Sequence, residues 1–587
     1  MFKNILIVSL SFVCINVVSA EELSDISVTS SEFTNSINES KYPLHIMQNE
    51  EINVNKSIGD NLKGLSGLSN ADYGAAVGQP AIRGLTGNRT RLLSNNIPIN
   101  DLSNLSGDHI NNIDLNNISH IEILRGPSSI FNRGGTSGGI INVITDIISE
   151  NKYDNEVIKL DYTTVNNGYG HNFLFKKNYL NANIFFSINN KHMDNYNIPH
   201  GSLLGETGLE LSTLANSDHK NQNTSFGLSF PREWGYFGFS FENTDGVYGL
   251  PYHAEEEEEE GHHEEEEEHR LFTKTETETY TLKGKFNTVS LFNSIDYSFR
   301  NSNSFLKEHE EDGAASLNSN STSFTFNFNL DDELYEKRFL LQYGHTKSPM
   351  TAAYLPSSEA YGRSASYFLR TKNRPYEIDF AARYESNSRD SSSQRYGDTS
   401  LSFGTSLAAN LGKSFIYNMN YAHISRSPSV AELFANGVHG ATSRYERGNN
   451  RISREVSRNI ELDLEYNFND IDVNLNLYRN NINNFIYLKD ESTTTSGKTD
   501  ATWSQKNAVM QGYEISMSSS YIIGNGDLLV TLSRDDISGV FDDNTYIPRL
   551  SPAKNTLSLK YENNKSNTYY ADLIYTESQG DMSSIET

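Results

Sequence analysis

The residues best suited to chemistry lie in one acidic segment, 248–269. It contains two runs of glutamate, 255–260 and 264–268, and four histidines, His253, His262, His263 and His269. Imidazole nitrogen selects borderline metal ions such as zinc, nickel or copper over calcium and magnesium. Glutamates add a negative potential that concentrates cations, although a glutamate run can also be a plain solvated loop. We interpret the segment as a loose metal-capturing loop.

Composition narrows the classes of protein before other motifs are considered. The chain has 587 residues, with 75 Asp and Glu against 48 Lys and Arg, and its formal net charge is −27. This balance excludes a general nucleic-acid binder, which needs a broad basic face. The single cysteine, Cys14, excludes a disulfide framework and a thiolate metal site. The sequence has no recognisable catalytic motif, so we predict neither enzymatic activity nor a resident cofactor.

The first 20 residues have the pattern of a secretory signal peptide. Lys3 precedes an apolar stretch from Ile5 to Val18, and Ser19 and Ala20 complete a small-residue cleavage site. After Ala20 the sequence contains no apolar run of about 18 residues, the length that a spanning helix needs. We therefore predict an exported protein without a membrane-spanning helix.

From about residue 151 onward, apolar and polar residues alternate strictly. Phe324, Phe326 and Phe328 alternate with polar residues, and the pattern recurs at 462–468 and 471–477. A period of two puts the apolar side chains on one face of each strand. That face points into the core of a soluble sandwich but toward lipid in a membrane barrel. The export signal, the length of the region and the polar opposite face favour the barrel; a secreted β-sandwich is the alternative.

Residues 73–146 contain the most specific motifs. These are Ile82-Arg83-Gly84, then Ile121-Glu122-Ile123-Leu124-Arg125-Gly126-Pro127, then Gly138-Gly139-Ile140-Ile141-Asn142-Val143-Ile144-Thr145. In this order and spacing they resemble the plug domain of TonB-dependent outer-membrane receptors. The glycines permit tight turns and close backbone packing. We interpret Arg83 and Arg125 as buried residues that pair with barrel carboxylates rather than contact a ligand.

The resemblance implies an all-β transmembrane fold. It consists of a large antiparallel outer-membrane β-barrel, about 22 strands in the family, with a small α/β plug domain in its lumen. We predict a signal peptide at 1–20, a TonB-box segment and linker at 21–45, the plug at 46–150 and the barrel at 151–587. The implied location is the outer membrane of a Gram-negative bacterium, where a monomer contacts lipid.

A short segment ahead of the plug resembles the TonB box of these receptors. It consists of Asp25, Ile26, Ser27, Val28 and Thr29. Binding would occur by β-augmentation, in which backbone hydrogen bonds supply the affinity. The resemblance implies TonB and its inner-membrane motor proteins as partners, with the proton gradient as the source of energy.

Four places are similar to the zinc-uptake (ZnuD-like) branch of these receptors. The strand end 248–253 precedes the acidic loop, and Ser106-Gly107-Asp108-His109 stands where that branch has an Asp-His pair. The segment 309–313 resembles a strand end with a metal-binding glutamate, and 428–442 is close to the long loop motif of the branch. The implied function is TonB-dependent active import of zinc across the outer membrane.

Carried over position by position, the resemblance implies a high-affinity site. Its ligands would be Asp108 and His109 from the plug with Glu311 and His439 from the barrel; Glu308 and Glu310 are alternatives to Glu311. Two imidazoles and two carboxylates can hold four-coordinate zinc without cysteine. The zinc is transiently bound cargo, and displacement of the plug would remove half of its ligands. The loop histidines would be accessory ligands.

Other functions also fit parts of the sequence. A haem or siderophore receptor would have the same fold, with His439 as an axial haem ligand, although the glutamate runs would repel haem propionates. A metal-sequestering or adhesive outer-membrane protein is a function of another class, which the TonB-box segment argues against. Nickel, copper and cobalt remain open as alternatives to zinc.

The last residues, 580–587, are polar and loop-like. Members of the resembled family normally finish on a strand that ends in an aromatic residue. We therefore expect this sequence to lack the last few barrel strands.

Overall fold

The computed structural model describes most of the chain. The described ranges are 44–74, 76–99, 102–125, 127–132, 136–199, 212–251, 272–289, 291–310, 313–372, 376–412, 414–468, 470–563 and 567–583. The predicted signal peptide, the TonB-box residues, the four loop histidines and Glu311 lie outside these ranges. None of the described helices is long and apolar enough to cross a membrane.

The N-terminal part of the described chain is a small α/β domain. Its helices are α1 (Ile58–Leu62) and α2 (Pro127–Asn132), with 3-10 turns at Asn49–Glu51, Gly87–Arg89, Leu102–Asn104 and Leu115–Asn117. Its strands are β1 (Leu44–Gln48), β2 (Leu68–Asp72), β3 (Gly78–Ile82), β4 (Thr90–Ser94), β5 (Ile97–Pro98), β6 (Ile118–Leu124) and β7 (Gly139–Thr145).

A five-stranded sheet in the order β1-β6-β7-β4-β5 forms the centre of this domain, and β2 pairs with β3 beside it. Nearly every position of β6 and β7 is buried, including His120 and Glu122 of β6, because both faces of this sheet are covered. Ile121, Ile123, Ile141 and Val143 from these strands are almost fully buried in one core with α1.

The rest of the chain forms long antiparallel strands. The first half contains β8 (Asn155–Thr163), β9 (Gly168–Tyr179), β10 (Ala182–Met193), β11 (Tyr196–Asn197), β12 (Thr213–Leu214), β13 (His219–Arg232), β14 (Gly235–Gly249), β15 (Phe272–Val289), β16 (Phe292–Glu310), β17 (Gly313–Asp331) and β18 (Tyr335–Ser348).

The second half adds one helix, a 3-10 turn and further strands. These are β19 (Met350–Thr351), β20 (Ser358–Thr371), β21 (Tyr376–Ser391), β22 (Arg395–Leu411), β23 (Phe415–Arg426), α3 (Val430–Phe434), β24 (Asn436–His439), the 3-10 turn Gly440–Thr442, β25 (Arg444–Arg447), β26 (Glu455–Phe468), β27 (Ile471–Thr495), β28 (Lys498–Ile523), β29 (Gly526–Phe541), β30 (Lys554–Asn563) and β31 (Thr568–Thr576).

All of these strands except β11 and β12 belong to one closed barrel. Phe324 and Phe326 on β17 point outward and are 40% and 45% exposed, whereas Asn327 and Asn329 point inward and are buried. An apolar outer face and a polar inner face are what a membrane barrel requires and are the reverse of a soluble sandwich. The barrel interpretation of the alternating pattern is confirmed.

The seam of the barrel lies between β31 and β8. Apolar side chains on these two strands are more exposed than the outward-facing phenylalanines of β17: Ile158 is 72% and Leu573 is 61% exposed. The outer face of the barrel is therefore less tightly packed at this seam than on β17. The expectation that strands of the family barrel are missing stays a prediction.

Buried ion pairs fasten the α/β domain to the inner wall of the barrel. Arg83 donates to Glu461 at 2.8 Å and to Glu514 at 2.7 Å, and Arg125 donates to Glu514 at 2.8 Å. Arg83 has a φ of 51°, a left-handed conformation that is uncommon for residues other than glycine. The prediction that Arg83 and Arg125 pair with barrel carboxylates is confirmed.

Candidate metal centre

Three separate elements bring a cluster of nitrogen and oxygen ligands together. A loop after the 3-10 turn Leu102–Asn104 contributes Asp108 and His109, the end of β16 contributes Glu308, and β24 contributes His439. Helix α3, directly before β24, has a capping box in which Ser429 and Glu432 satisfy its first backbone groups. Glu432 also accepts two hydrogen bonds from Arg426 on β23, so α3 and the strand after it are fixed to the barrel wall.

The ligand atoms of three of these residues lie close enough together to share one ion, and the fourth residue, His439, adjoins them through Asp108. His109 Nε2 is 2.9 Å from Glu308 Oε1 and 3.8 Å from Asp108 Oδ2, and His439 Nε2 is 3.5 Å from Asp108 Oδ1. The ligand atoms of Asp108, His109 and Glu308 all lie within 4.8 Å of one another. All four residues are buried, with 0–4% of each exposed. Zinc needs its ligand atoms at roughly 2.0–2.2 Å, so the side chains would have to close around an ion placed among them.

Outer hydrogen bonds orient both imidazoles. His109 Nδ1 bonds the carbonyl oxygen of Leu102 at 2.9 Å, and His439 Nδ1 bonds Glu446 Oε1 at 2.8 Å. Since the carbonyl oxygen is an acceptor and a carboxylate is one as well, Nδ1 is the donor in each ring. In a neutral ring Nε2 then carries the free lone pair, and both Nε2 atoms face the cluster. Such carboxylate or carbonyl support is the usual second shell of a metal-binding histidine.

Two tyrosines and a serine also contact the cluster. The ring of Tyr354 stacks on His439 with 4.0 Å between centroids and 9° between planes. The hydroxyl of Tyr248 donates to the carbonyl oxygen of Asp108 at 3.4 Å. Ser106 Oγ hydrogen-bonds Asp108 Oδ1. These contacts keep water away, which strengthens the interaction between the carboxylates and any cation.

The charges of the cluster shift the pKa values of its members. Burial alone would lower the pKa of His109, but the Asp108 and Glu308 carboxylates outweigh burial and raise it to about 9. Burial likewise opposes the charge of His439, yet Asp108 and Glu446 raise its pKa well above the usual value. The two imidazoles in turn hold the pKa of Asp108 below its usual value, against the effect of burial. In the metal-free cluster both histidines are therefore cations at neutral pH.

These charges match those of a divalent ion. Two imidazolium groups balance two of the three carboxylates of Asp108, Glu308 and Glu446. A divalent cation held by neutral imidazoles would supply the same two positive charges, so exchange of two protons for one metal ion leaves the net charge of the buried site unchanged. An incoming M²⁺ thus adds no net charge to the buried site, and its ligands must offset the loss of its hydration.

The structure brings together three of the four residues that the sequence analysis named. Asp108, His109 and His439 meet, whereas Glu311 lies outside the described residues, and the carboxylate in contact with His109 is that of Glu308. Inward-facing positions on β16 are even-numbered, as buried Ser304 and Leu306 show, so alternation could have favoured Glu308 over Glu311. The role of Glu446 was missed, because only the register of β24 and β25 brings it to His439.

Comparison with known proteins agrees with this architecture. Residues 36–140 match the model of the TonB-dependent receptor plug domain, and residues 261–585 match that of the TonB-dependent receptor-like β-barrel. The chain belongs to the TonB-dependent receptor family. Such receptors are outer-membrane β-barrel proteins of Gram-negative bacteria that work with TonB and bind their substrates.

Solved structures of TonB-dependent receptors share the fold at low sequence identity. The copper transporter OprC has a TM-score of 0.76 and 14% identity, over 92% of this chain and 87% of that chain. The hemophore receptor HasR of Serratia marcescens, in complex with its hemophore HasA and heme, has a TM-score of 0.74 and 10% identity, over 92% of each chain. The FrpB iron transporter from Neisseria meningitidis has a TM-score of 0.72 and 13% identity, over 90% of this chain and 86% of that chain.

Proposed function

We propose that this receptor imports zinc ions across the outer membrane by TonB-dependent active transport, without catalysis. The observation that supports the proposal most directly is the buried cluster of Asp108, His109, Glu308 and His439, with both imidazole Nε2 atoms facing carboxylates. Plug and barrel each contribute two of these four residues.

The ligand types favour zinc over other common cations. Calcium and magnesium take oxygen ligands in larger or octahedral shells, whereas two imidazoles with two carboxylates suit a four-coordinate borderline ion. Among related folds, OprC is named a copper transporter and FrpB an iron transporter, so copper and iron are the competitors that an experiment must include.

Because its ligands are divided between plug and barrel, the site can release its ion when the plug moves. When TonB pulls on the N-terminal segment, movement of the plug withdraws Asp108 and His109 while Glu308 and His439 stay with the barrel. The ion loses half of its ligands and can leave. The acidic loop, with His253, His262, His263 and His269, would gather ions outside the barrel and raise their local concentration.

Uptake of radiolabelled zinc by cells that express the receptor tests this function. Wild-type cells should accumulate zinc faster than cells without the receptor, and His439→Ala should abolish the difference. Val28→Pro in the TonB-box segment should also abolish uptake but leave zinc binding intact, because proline removes a donor from the added strand.

The same assay distinguishes zinc import from metal sequestration or adhesion and from uptake of haem or a siderophore. Unchanged surface binding of zinc with no uptake in any strain would indicate metal sequestration or adhesion rather than import. Growth on haem or on a ferric siderophore that depends on the receptor, without zinc uptake, would indicate a haem or siderophore receptor of the same fold.

A further inference from the structure

The outer faces of the adjacent strands β26 and β27 change from apolar to basic at the same level. On β26 the outward residue next to Ile460 is Arg458, and on β27 the outward residue next to Leu477 is Arg479. Ile460 and Leu477 are 48% and 42% exposed on the outer face of the barrel. Side chains two residues apart share a face of a strand, so both arginines also point outward, and both are exposed.

Strand register brings further basic groups to the same place. Arg458 is the cross-strand partner of His423 on β23. Arg479 is the diagonal neighbour of Arg458, because its own partner is the next outward residue of β26, and such neighbours lie about 7–8 Å apart. Arg454, directly before β26, is exposed and lies close enough to His423 for its charge to act on the ring. We call His423, Arg454, Arg458 and Arg479 the basic patch.

No carboxylate balances the basic patch within the described part of the chain. None of its three arginines forms an ion pair there, and Arg454 and Arg479 each donate to a neutral oxygen, at 2.5 and 3.1 Å. The nearby acidic residues of β26, Glu455 and Glu461, are buried on the inner face. Like charges placed opposite each other on a sheet are destabilising. The patch is therefore a surface that an anion would stabilise, on a chain whose net charge is −27.

The basic patch lies at the extracellular edge of the lipid-facing band. Beside the patch, β23 and β26 are joined by residues 427–454, whereas at the opposite end β26 and β27 are joined by two residues, 469 and 470. Long loops are typical of the extracellular end of outer-membrane barrels and short turns of the periplasmic end. Between the patch and the periplasmic end, the outward residues of the three strands are apolar or aromatic, among them Met419, Leu462 and Tyr466.

This arrangement fits a molecule that has both phosphate groups and acyl chains. The planar guanidinium group of arginine donates two parallel hydrogen bonds to phosphate oxygens, and clustered basic residues attract anionic lipid headgroups. The apolar band next to the patch would contact the acyl chains of the same molecule. A soluble anion or a soluble protein would use the charges alone.

We propose that the basic patch binds a phosphate-bearing lipid of the outer leaflet. Its phosphate groups lie between Arg458 and Arg479, with Arg454 above them, and its acyl chains follow the outer face of β23, β26 and β27. The proposal does not depend on which substrate the receptor imports, since every residue of the patch is on the outer face and none belongs to the metal centre.

Titration of the full-length receptor with lipid A, a glycolipid that carries two phosphate groups, tests the proposal. The receptor is kept in a non-ionic detergent, and native mass spectrometry measures the bound lipid. Lipid A should bind at least about tenfold more tightly than lipid A from which both phosphate groups have been removed, because two or more arginines lose their partner. Equal binding of the two forms would overturn the proposal.

Substitutions then locate the site on the barrel. Arg458→Gln and Arg479→Gln should each weaken lipid A binding about fivefold, the usual contribution of one basic residue near an anionic lipid surface. Both side chains are exposed, so both variants should fold, which heat-modifiable migration on a gel verifies. Arg363→Gln is the matched control, because it removes an exposed outward arginine from β20. Unchanged binding in both patch variants, or an equal loss in Arg363→Gln, would place the lipid elsewhere.

Inorganic phosphate distinguishes a lipid site from a site for a soluble anion. Millimolar inorganic phosphate should leave most of the lipid A bound, because phosphate alone makes no contact with the apolar band. Full displacement of lipid A by phosphate at that concentration would assign the basic patch to a soluble anion and overturn the lipid site.

Discussion

His439 shows how a single side chain becomes a ligand through its neighbours. Its Nδ1 bonds Glu446 at 2.8 Å, its ring stacks on Tyr354, and its Nε2 is left facing Asp108. The carboxylate of Glu446 fixes the tautomer and the ring orientation and makes the imidazole a stronger ligand.

Replacement of Glu446 tests this supporting role. Glu446→Ala should weaken zinc binding at the metal centre about 10–100-fold, the usual effect of losing such a partner, while the barrel still folds. Isothermal titration in detergent measures the affinity. The control is Glu562→Ala, an exposed glutamate at the end of β30; equal affinity in both variants would contradict the role of Glu446.

Zinc binding should also depend on pH in a defined direction. Because the pKa of His109 is raised to about 9, this imidazole is protonated at neutral pH, and zinc must displace its proton. Affinity should therefore rise with pH up to about 9 and level off above it, since metal binding competes with protons for the same nitrogen. Titration in buffers of different ionisation enthalpy should also detect proton release, and a flat pH profile from 6 to about 9 would be inconsistent with a histidine ligand.

At the scale of elements, the contacts that attach the plug to the barrel differ in strength from one side of the plug to the other. Arg83 and Arg125 pair with Glu514 and Glu461 on β28 and β26. Plug residues 112–117 instead meet β10, β13 and β15 through hydrogen bonds of amide, hydroxyl and carboxylate groups. The ionic side is the firm attachment, since separating a buried ion pair leaves charges without partners. The segment 112–117 detaches at lower cost, whereas the metal centre has buried pairs of its own, from His109 to Glu308 and from His439 to Asp108.

Glu514→Gln tests the attachment on the ionic side. The variant leaves two buried guanidinium groups without their shared carboxylate, which we expect to cost about 3–5 kcal/mol. The plug should become more susceptible to limited proteolysis and should dissociate at lower urea concentration. Asp543→Asn, which removes a surface pair with Lys506, is the matched control and should change stability far less than Glu514→Gln does; similar results for both would contradict a firm attachment.

At the scale of the whole molecule, sequence patterns predicted the architecture because each has a direct physical cause. Alternation at 324–329 follows from a strand with lipid on one face and a filled lumen on the other. The order of the plug motifs indicated where Arg83 and Arg125 must find carboxylates. These predictions required only local spacing and the resemblance to a family.

The contacts of the site were less accessible to sequence reasoning. Asp108 and His439 are 331 positions apart and are joined only by closure of the barrel around the plug. Glu311 was preferred to Glu308 by resemblance, although the inward parity of β16 favours Glu308 and Glu310, and only the contact with His109 distinguishes these two. The contact of Glu446 with His439 depends on the register of β24 and β25, which no periodicity encodes.

A competitive metal titration of the full-length receptor tests the central claim most directly. Zinc would be competed against nickel, copper, iron and haem, in the wild type and in His109→Ala. We predict one tight zinc site that His109→Ala abolishes, with only weak binding by the acidic loop remaining. Tight zinc binding that survives in His109→Ala, or tight haem binding without a tight zinc site, would contradict a zinc centre between plug and barrel.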